Sequence, residues 1–280
     1  MPKSTDSPRI ILALAVLVLI ATGLNAVCEF NADSFFGRDY HYKQSFEKTY
    51  PLPANGDFSL KNTNGTVRIS AWDKPEVEIK AEKSAAQEKN LELVEIKVDA
   101  GARFVTVDTI YPRLRNLRVR VNYEIKIPQG ARLELVRTTN GTVEIVGPFG
   151  DVKASSTNGA VRIEGATGTV ALSTTNGIIR ALDVKGRLRA NTTNGGITIE
   201  MPKVEADIEA DTTNGSIHLR LGEQPNAVLK ARTTNGHITL DFPVTVQGIS
   251  SSRRRIEGTI GTGGPLITLE TTNGSITIGR

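Results

Sequence analysis

Side chains able to do chemistry are few in this sequence and poorly spaced for it. The three histidines, His41, His218 and His237, lie far apart along the chain, and their spacing predicts no metal-ligand set. Cys28 is the single cysteine, so the chain closes no internal disulfide and builds no cysteine-based zinc site. Solenoids that cleave polysaccharides cluster their acids on one outer face. Here Glu144, Glu164, Glu200 and Asp211 fall at different places in successive units, which is the behaviour of solubilising charges. The sequence contains no Gly-x-Ser-x-Gly elbow, no phosphate-binding Gly-Lys-Ser/Thr loop and no His-Glu-x-x-His pair. Calcium-binding stacks place Asp in every turn, whereas the turns here carry Asn and Thr, and a neutral amide is a poor substitute for a carboxylate. The expectation is a protein without catalytic residues, cofactor or metal.

What does recur is a turn. Thr-Thr-Asn-Gly or Ser-Thr-Asn-Gly brings round Asn140-Gly141, Asn158-Gly159, Asn176-Gly177, Asn194-Gly195, Asn214-Gly215, Asn235-Gly236 and Asn273-Gly274, with an outlying copy at Asn64-Gly65. From Asn140 onward the Asn positions are separated by 18, 18, 18, 20, 21 and 38 residues. A constant short period is the mark of a one-dimensional stack whose units bury their faces against neighbours. Asn tolerates the left-handed region and Gly enters it without steric cost, so Gly177 is expected at positive φ.

The elements that position these turns alternate with period two. Val161 and Ile163 follow Asn158, Val170 and Leu172 precede Asn176, and equivalent pairs flank the other turns. Such pairs point to one face of a strand. The first Thr or Ser of each tetrapeptide continues the inward row, leaving Thr139, Thr157, Thr175, Thr193, Thr213, Thr234 and Thr272 as an outward hydroxyl rank. Ice or sugar binding is one use of such a rank, and β propensity alone also accounts for it. Asn-Gly is equally the strongest hairpin signal, and periodicity does not exclude an up-and-down sheet. The vertical identity of the units favours coils stacked at about 4.8 Å, and 18 residues suffice for two short strands and two turns. The expected fold is all-β: a two-sided β-solenoid of stacked short strands with Asn-Gly turns, one elongated domain with a broader N-terminal cap. Aromatic content of 5% with 26 glycines suits thin layers of small branched side chains.

Three regions follow. In residues 1–28, Lys3 and Arg9 precede the uncharged apolar run 10–23, then Asn25 and Glu29 restore polarity. That order is a signal peptide or an N-terminal membrane anchor; its 14 residues are short of the roughly 17–25 of a membrane span. Cys28 stands where a lipid attachment would fall, although Asn25-Ala26-Val27 fits a lipobox poorly. Residues 29–130 form an irregular β part of the solenoid, with aromatics from Phe35 to Tyr50 as its first strand and cap. Residues 131–280 form the repeat, with an insertion at 244–265 that carries Arg253-Arg254-Arg255. The net charge of +4 is spread along the chain, so a nucleic-acid surface is not expected. The strand Ser275 to Arg280 ends the chain and reads as an uncapped terminal coil, the mark of an assembly scaffold.

The repeats, the opening Phe58-Ser59-Leu60-Lys61-Asn62-Thr63-Asn64-Gly65 with Trp72 and Val77, and the late Phe242-Pro243-Val244, Arg253 to Gly258 and Gly263-Gly264-Pro265 resemble the bacterial family of putative adhesins known as DUF4097. The resemblance covers about residues 46–278. It implies a β-solenoid-like domain in exported or membrane-attached proteins, with an adhesive role and no catalytic residues. The expected function is therefore a non-enzymatic, extracytoplasmic, adhesin-like or envelope interaction module at the periplasm or cell surface. Its expected partner is an envelope or surface component, protein or glycan, with membrane attachment through the N-terminus. The alternatives are a carbohydrate-active solenoid enzyme and a self-assembling envelope scaffold.

Overall fold

The computed structural model describes residues 40–114, 117–223, 225–241, 244–245 and 253–280. The export segment, Cys28, Phe35, Phe36 and the middle of the 244–265 insertion lie outside the described residues. Among those residues no helix is long and apolar enough to cross a membrane.

The unit Arg38–Arg280 is a two-sided β-solenoid, one sheet of eleven strands against one of twelve. Each coil passes up one sheet to its Asn, turns at Gly and returns along the other, as in Val170–Asn176 followed by Ile179–Leu182. Repeats pair parallel and in register: Val170 lies beside Val152 and Leu188, and Ile179 beside Val161 and Ile197. The hairpin alternative is thereby excluded for the repeats.

Alternation puts the core between the sheets. In the Asn176 coil Val170, Leu172, Thr174, Ile179 and Ala181 are buried, and each fully buried Val, Leu or Ile contributes about 1.5–3 kcal/mol. In the middle of the stack volume is balanced within a coil, between the residues four before and five after the Asn, which are equidistant from the turn, whereas the Asn140 and Asn273 coils carry large residues at both, Val136 with Ile145 and Leu269 with Ile278. The Asn158 coil offers Ala154 with Ile163 and the Asn194 coil Ala190 with Ile199, whereas the Asn176 coil reverses the sizes with Leu172 and Ala181. Leu172→Ala is therefore expected to cost about 2–5 kcal/mol. Leu172→Ala with Ala181→Ile, which restores the arrangement of the adjacent coils, should recover most of that in urea unfolding. A double variant no more stable than the single one would show that the two positions do not share a cavity.

The stacking order departs from sequence order at both ends. In the eleven-stranded sheet Ile217–Leu221 is followed by Ile276–Gly279 and only then by Ile238–Leu240; in the other, Leu266–Asn273 separates Ile208–Asn214 from Ala227–Asn235. The final coil of the chain is thus next to last in the stack, and the expectation of an uncapped terminal coil is corrected. The chain leaves room for this coil between the Asn214 and Asn235 coils, and the 38 residues from Asn235 to Asn273 are long because they include the covering strand Arg255–Ile260 before the return. Beyond Ala227–Asn235 the twelve-stranded sheet continues antiparallel into Arg255–Ile260. At the other end Phe104–Ile110 and Val119–Pro128 stack outside the Asn64 coil. They are covered by antiparallel Glu95–Ala100 on one sheet, and by Glu76–Ala85 and Tyr42–Pro51 on the other. Tyr123 is buried there with its hydroxyl 2.6 Å from Thr109 Oγ1, and burial pushes its phenol well above the usual range.

Candidate binding face

The repeated turn sets the spacing of everything outside it. Inward Thr and Ser each donate a hydroxyl hydrogen bond to the Gly carbonyl of the preceding coil in the stack: Ser156 to Gly141 at 2.9 Å, Thr174 to Gly159 at 2.9 Å, Thr192 to Gly177 at 3.1 Å, Thr271 to Gly215 at 2.8 Å and Thr233 to Gly274 at 2.8 Å. Such bonds satisfy the polar atoms that the small inward residue brings into the core. The Asn side chains form a second ladder on the outside, exposed rather than enclosed between layers. Each Nδ2 donates to the Oδ1 of the coil before, from Asn140 to Asn64 at 2.7 Å, through Asn158, Asn176, Asn194, Asn214 and Asn273, to Asn235 on Asn273 at 2.8 Å.

The glycines require a correction. Gly65 has φ 127°, but Gly141, Gly159, Gly177, Gly195, Gly215, Gly236 and Gly274 do not adopt the left-handed region. They are glycine because of close approach: a Cβ on Gly177 would enter the Gly159 carbonyl, one on Gly195 the Gly177 carbonyl, and so along the column.

With the turns stacked in this way, the outer face of the twelve-stranded sheet presents two columns of polar side chains next to the Asn-Gly turns, with Lys153, Ala171, Arg189 and Glu209 in a third column farther from them. One holds Arg137, Ser155, Ser173, Asn191, Asp211 and Glu270, each directly beside the next. The other is the Thr rank, in which Thr175, Thr193, Thr213, Thr234 and Thr272 are exposed and Thr139 and Thr157 half-buried. Strand geometry separates the columns by about 6.6 Å and neighbours within a column by about 4.8 Å. Between them lies a shallow groove of ≈ 550 Å³ lined by Arg137, Ser155, Ser173, Thr175, Asn191 and Asp211. The Thr rank is legible in the tetrapeptides; the Ser and Asn column two residues earlier was missed, although the alternation that turns Thr174 inward also turns Ser173 outward.

The charge along the first column runs from Arg137 through neutral hydroxyls and amides to Asp211 and Glu270, and turns positive again at Arg232 beside Glu270. Partial burial, together with the charges of Glu270 and Glu209, raises the Asp211 carboxyl above its ordinary value. A carboxyl whose folded pKa exceeds its unfolded one disfavours the fold once ionised. Asp211→Asn should therefore stabilise at neutral pH, by about 0.5 kcal/mol or less at an exposed site. The gain should disappear as pH falls below the carboxylate range, which urea midpoints across pH would show.

The outward acids are not gathered into one site. Glu144 lies 3.1 Å from Arg68 and 2.7 Å from Arg162, Glu200 lies 3.3 Å from Arg220, and Glu164 forms no ion pair among the described residues. His237 Nδ1 is 3.0 Å from Ser275 Oγ, and the described residues contain no group of three His, Cys, Asp or Glu side chains placed to hold a metal ion. The basic cluster covers the end of the stack through its backbone: Arg254 accepts from Thr233 N–H and Arg253 from Ile238 N–H, both at 2.9 Å, while Arg255 pairs with Glu257 at 2.7 Å.

Residues 43–279 match the family profile described as Toastrack DUF4097. No curated protein matches the chain. Among solved structures, one described as a putative adhesin from Bacteroides fragilis is 16% identical over 84% of this chain and 96% of its own, with a TM-score of 0.42. A putative cell adhesion protein from Clostridium sporogenes is 12% identical over 84% of this chain and 99% of its own, at TM-score 0.33. A putative adhesin from Parabacteroides merdae is 14% identical over 85% and 96%, at TM-score 0.30.

Proposed function

The chain belongs to the Toastrack DUF4097 family, and from that premise we propose that it is a non-enzymatic, extracytoplasmic, adhesin-like interaction module whose ligand is a polyhydroxylated surface such as an envelope glycan. The observation that carries this reading is the outer face of the twelve-stranded sheet, where Ser155, Ser173 and Asn191 run beside Thr157, Thr175 and Thr193 in fixed register. A rigid sheet presents these donors and acceptors without further ordering, so little conformational entropy is lost on binding. Sugar hydroxyls exchange hydrogen bonds with such an array in either direction. The extracytoplasmic location rests on Lys3, Arg9 and the apolar run 10–23. Pairing of Glu144 and Glu200 with arginines favours binding over glycan cleavage, because catalytic carboxylates flank one bond.

The test is retention of the protein on immobilised envelope polysaccharide, compared with Ser173→Val/Thr175→Val. Both substitutions lie outside the core and suit a strand. The variant is expected to bind at least about tenfold more weakly, the loss of one or two hydrogen bonds, with an unchanged urea midpoint. Equal retention of parent and variant would move the ligand elsewhere, and release of shortened glycan would make the enzyme reading correct.

A further inference from the structure

Asn-Gly is the dipeptide most prone to spontaneous deamidation. The Gly amide nitrogen, once it gives up its proton, attacks Cγ of the Asn side chain. The new N–C bond closes a succinimide and ammonia departs. Water then opens the ring to an aspartyl or isoaspartyl residue, so the sum is amide plus water to acid plus ammonia, with no oxidation or reduction. Because the attacking nitrogen must be unbound and the carboxamide free to rotate, hydrogen bonds to either group oppose the reaction.

Eight such turns form the ladder, and its polarity treats them unequally. Within it the Gly N–H donates to the Asn carbonyl of the following coil: Gly65 to Asn140 at 2.9 Å, Gly141 to Asn158 at 3.1 Å, Gly159 to Asn176 and Gly177 to Asn194 at 3.0 Å, Gly195 to Asn214 at 2.9 Å, Gly215 to Asn273 at 3.0 Å and Gly274 to Asn235 at 3.1 Å. The Asn Oδ1 of each of these seven turns also accepts Nδ2–H from the following coil. The last coil has no following coil. Among the described residues Gly236 N–H donates to nothing and Asn235 Oδ1 accepts nothing; the exposed Asn235 side chain keeps only its own Nδ2 bond to Asn273 Oδ1 at 2.8 Å.

We propose that Asn235-Gly236 is a built-in deamidation site, and that the ladder protects the other seven turns from the same reaction. Conversion replaces the Nδ2 donor facing Asn273 Oδ1 by a carboxylate oxygen, so the last step of the ladder changes from attraction to repulsion. The isoaspartyl product also adds an atom to the backbone of that coil. The outermost coil is thus the one loosened as the protein ages.

The experiment is peptide mapping by mass spectrometry of the full chain incubated at mildly alkaline pH, folded and in urea. In the folded chain the Asn235 peptide should gain the acid mass and an isoaspartyl peak. The seven ladder peptides should lag at least about tenfold, since each must first break two hydrogen bonds. In urea all eight should convert at similar rates, and Asn235→Gln should remove the signal from its own peptide. Asn55-Gly56 lies outside the ladder, with Gly56 N–H donating to Pro53 within its own turn, and is left out of the comparison. Equal rates at Asn176 and Asn235 in the folded chain would overturn the proposal, as would an inert Asn235 under conditions that convert all eight in urea.

Discussion

Replacing Gly177 by alanine should cost about 4–5 kcal/mol or more, the exceptional range for a single substitution. The added Cβ would enter the Gly159 carbonyl, 2.6 Å from its carbon, and neither chain can retreat cheaply. Gly159 O accepts from Thr174 Oγ1 at 2.9 Å, and Gly159 N–H donates to Asn176 O at 3.0 Å. Separating the coils breaks both bonds, and each buried group left unpaired costs about 1–3 kcal/mol. Overpacking strain adds about 1–3 kcal/mol. The neighbouring Ile178 is exposed, and Gly196 takes its place in the next coil, so Ile178→Ala is the matched control, expected to stay within about 0.5 kcal/mol of the parent. Urea unfolding of both decides it: an alanine at 177 as mild as the one at 178 would mean that the coils are not in backbone contact.

Ending the chain before Leu266 is expected to undo more than the coil it deletes. The missing residues include Ile267, Leu269, Thr271, Ile276 and Ile278, all buried between the Asn214 and Asn235 coils. Without them Ala227–Asn235 loses its parallel partner, and Ile238–Leu240 loses its only partner among the described strands. Hydrogen exchange should show loss of protection across 227–240 and along Ile208–Asn214. Excising residues 169–186 instead removes one complete 18-residue unit, including both members of the reversed pair Leu172 and Ala181. Parallel register lets the flanking coils meet, so the shortened chain should unfold cooperatively at lower stability, as expected of stacked repeats. Full protection of 227–240 in the truncated chain would contradict the stacking order.

These two outcomes mark what the sequence discloses and what it hides. The period, the inward Thr174 and the pairs around Asn176 are legible because burial on one face of a strand imposes alternation. The position of the final coil is not, because every coil carries the same Asn, Gly, Thr and branched residues at its edges, and any of them could pair with any other. Only the long stretch between Asn235 and Asn273 hinted at a detour. Gly177 misled for a related reason: Asn-Gly in a chain read locally signals positive φ, whereas the requirement here comes from Gly159 in another coil. The same locality hid the polar column on the outer face, since Ser155 and Ser173 differ from their counterparts Asn191 and Asp211 in type and share only their place. The antiparallel strands Tyr42–Pro51 and Glu76–Ala85 carry no repeated turn, so nothing in the sequence indicated their pairing.

The paired ladders of the turn also determine how the stack meets mechanical tension. A pull along the stacking direction passes through each junction between coils in turn, so the junctions act in series and the weakest governs the force at which the stack opens. On the turn side each junction in the repeat carries an Asn-to-Asn bond and a hydroxyl-to-Gly bond in addition to the strand ladders, beside glycine backbones already in contact. The opposite turns, such as Gly165-Ala166-Thr167-Gly168 and Met201-Pro202-Lys203, vary in sequence and spacing between units. The Asn-Gly edge therefore carries the same two bonds at every junction, whereas the other edge is bonded differently from one junction to the next, by Thr167 Oγ1 to Phe149 O at 2.9 Å in one and by Lys185 N–H to Ala166 O at 2.9 Å in the next, so resistance to tension varies along the stack mainly at the variable turns.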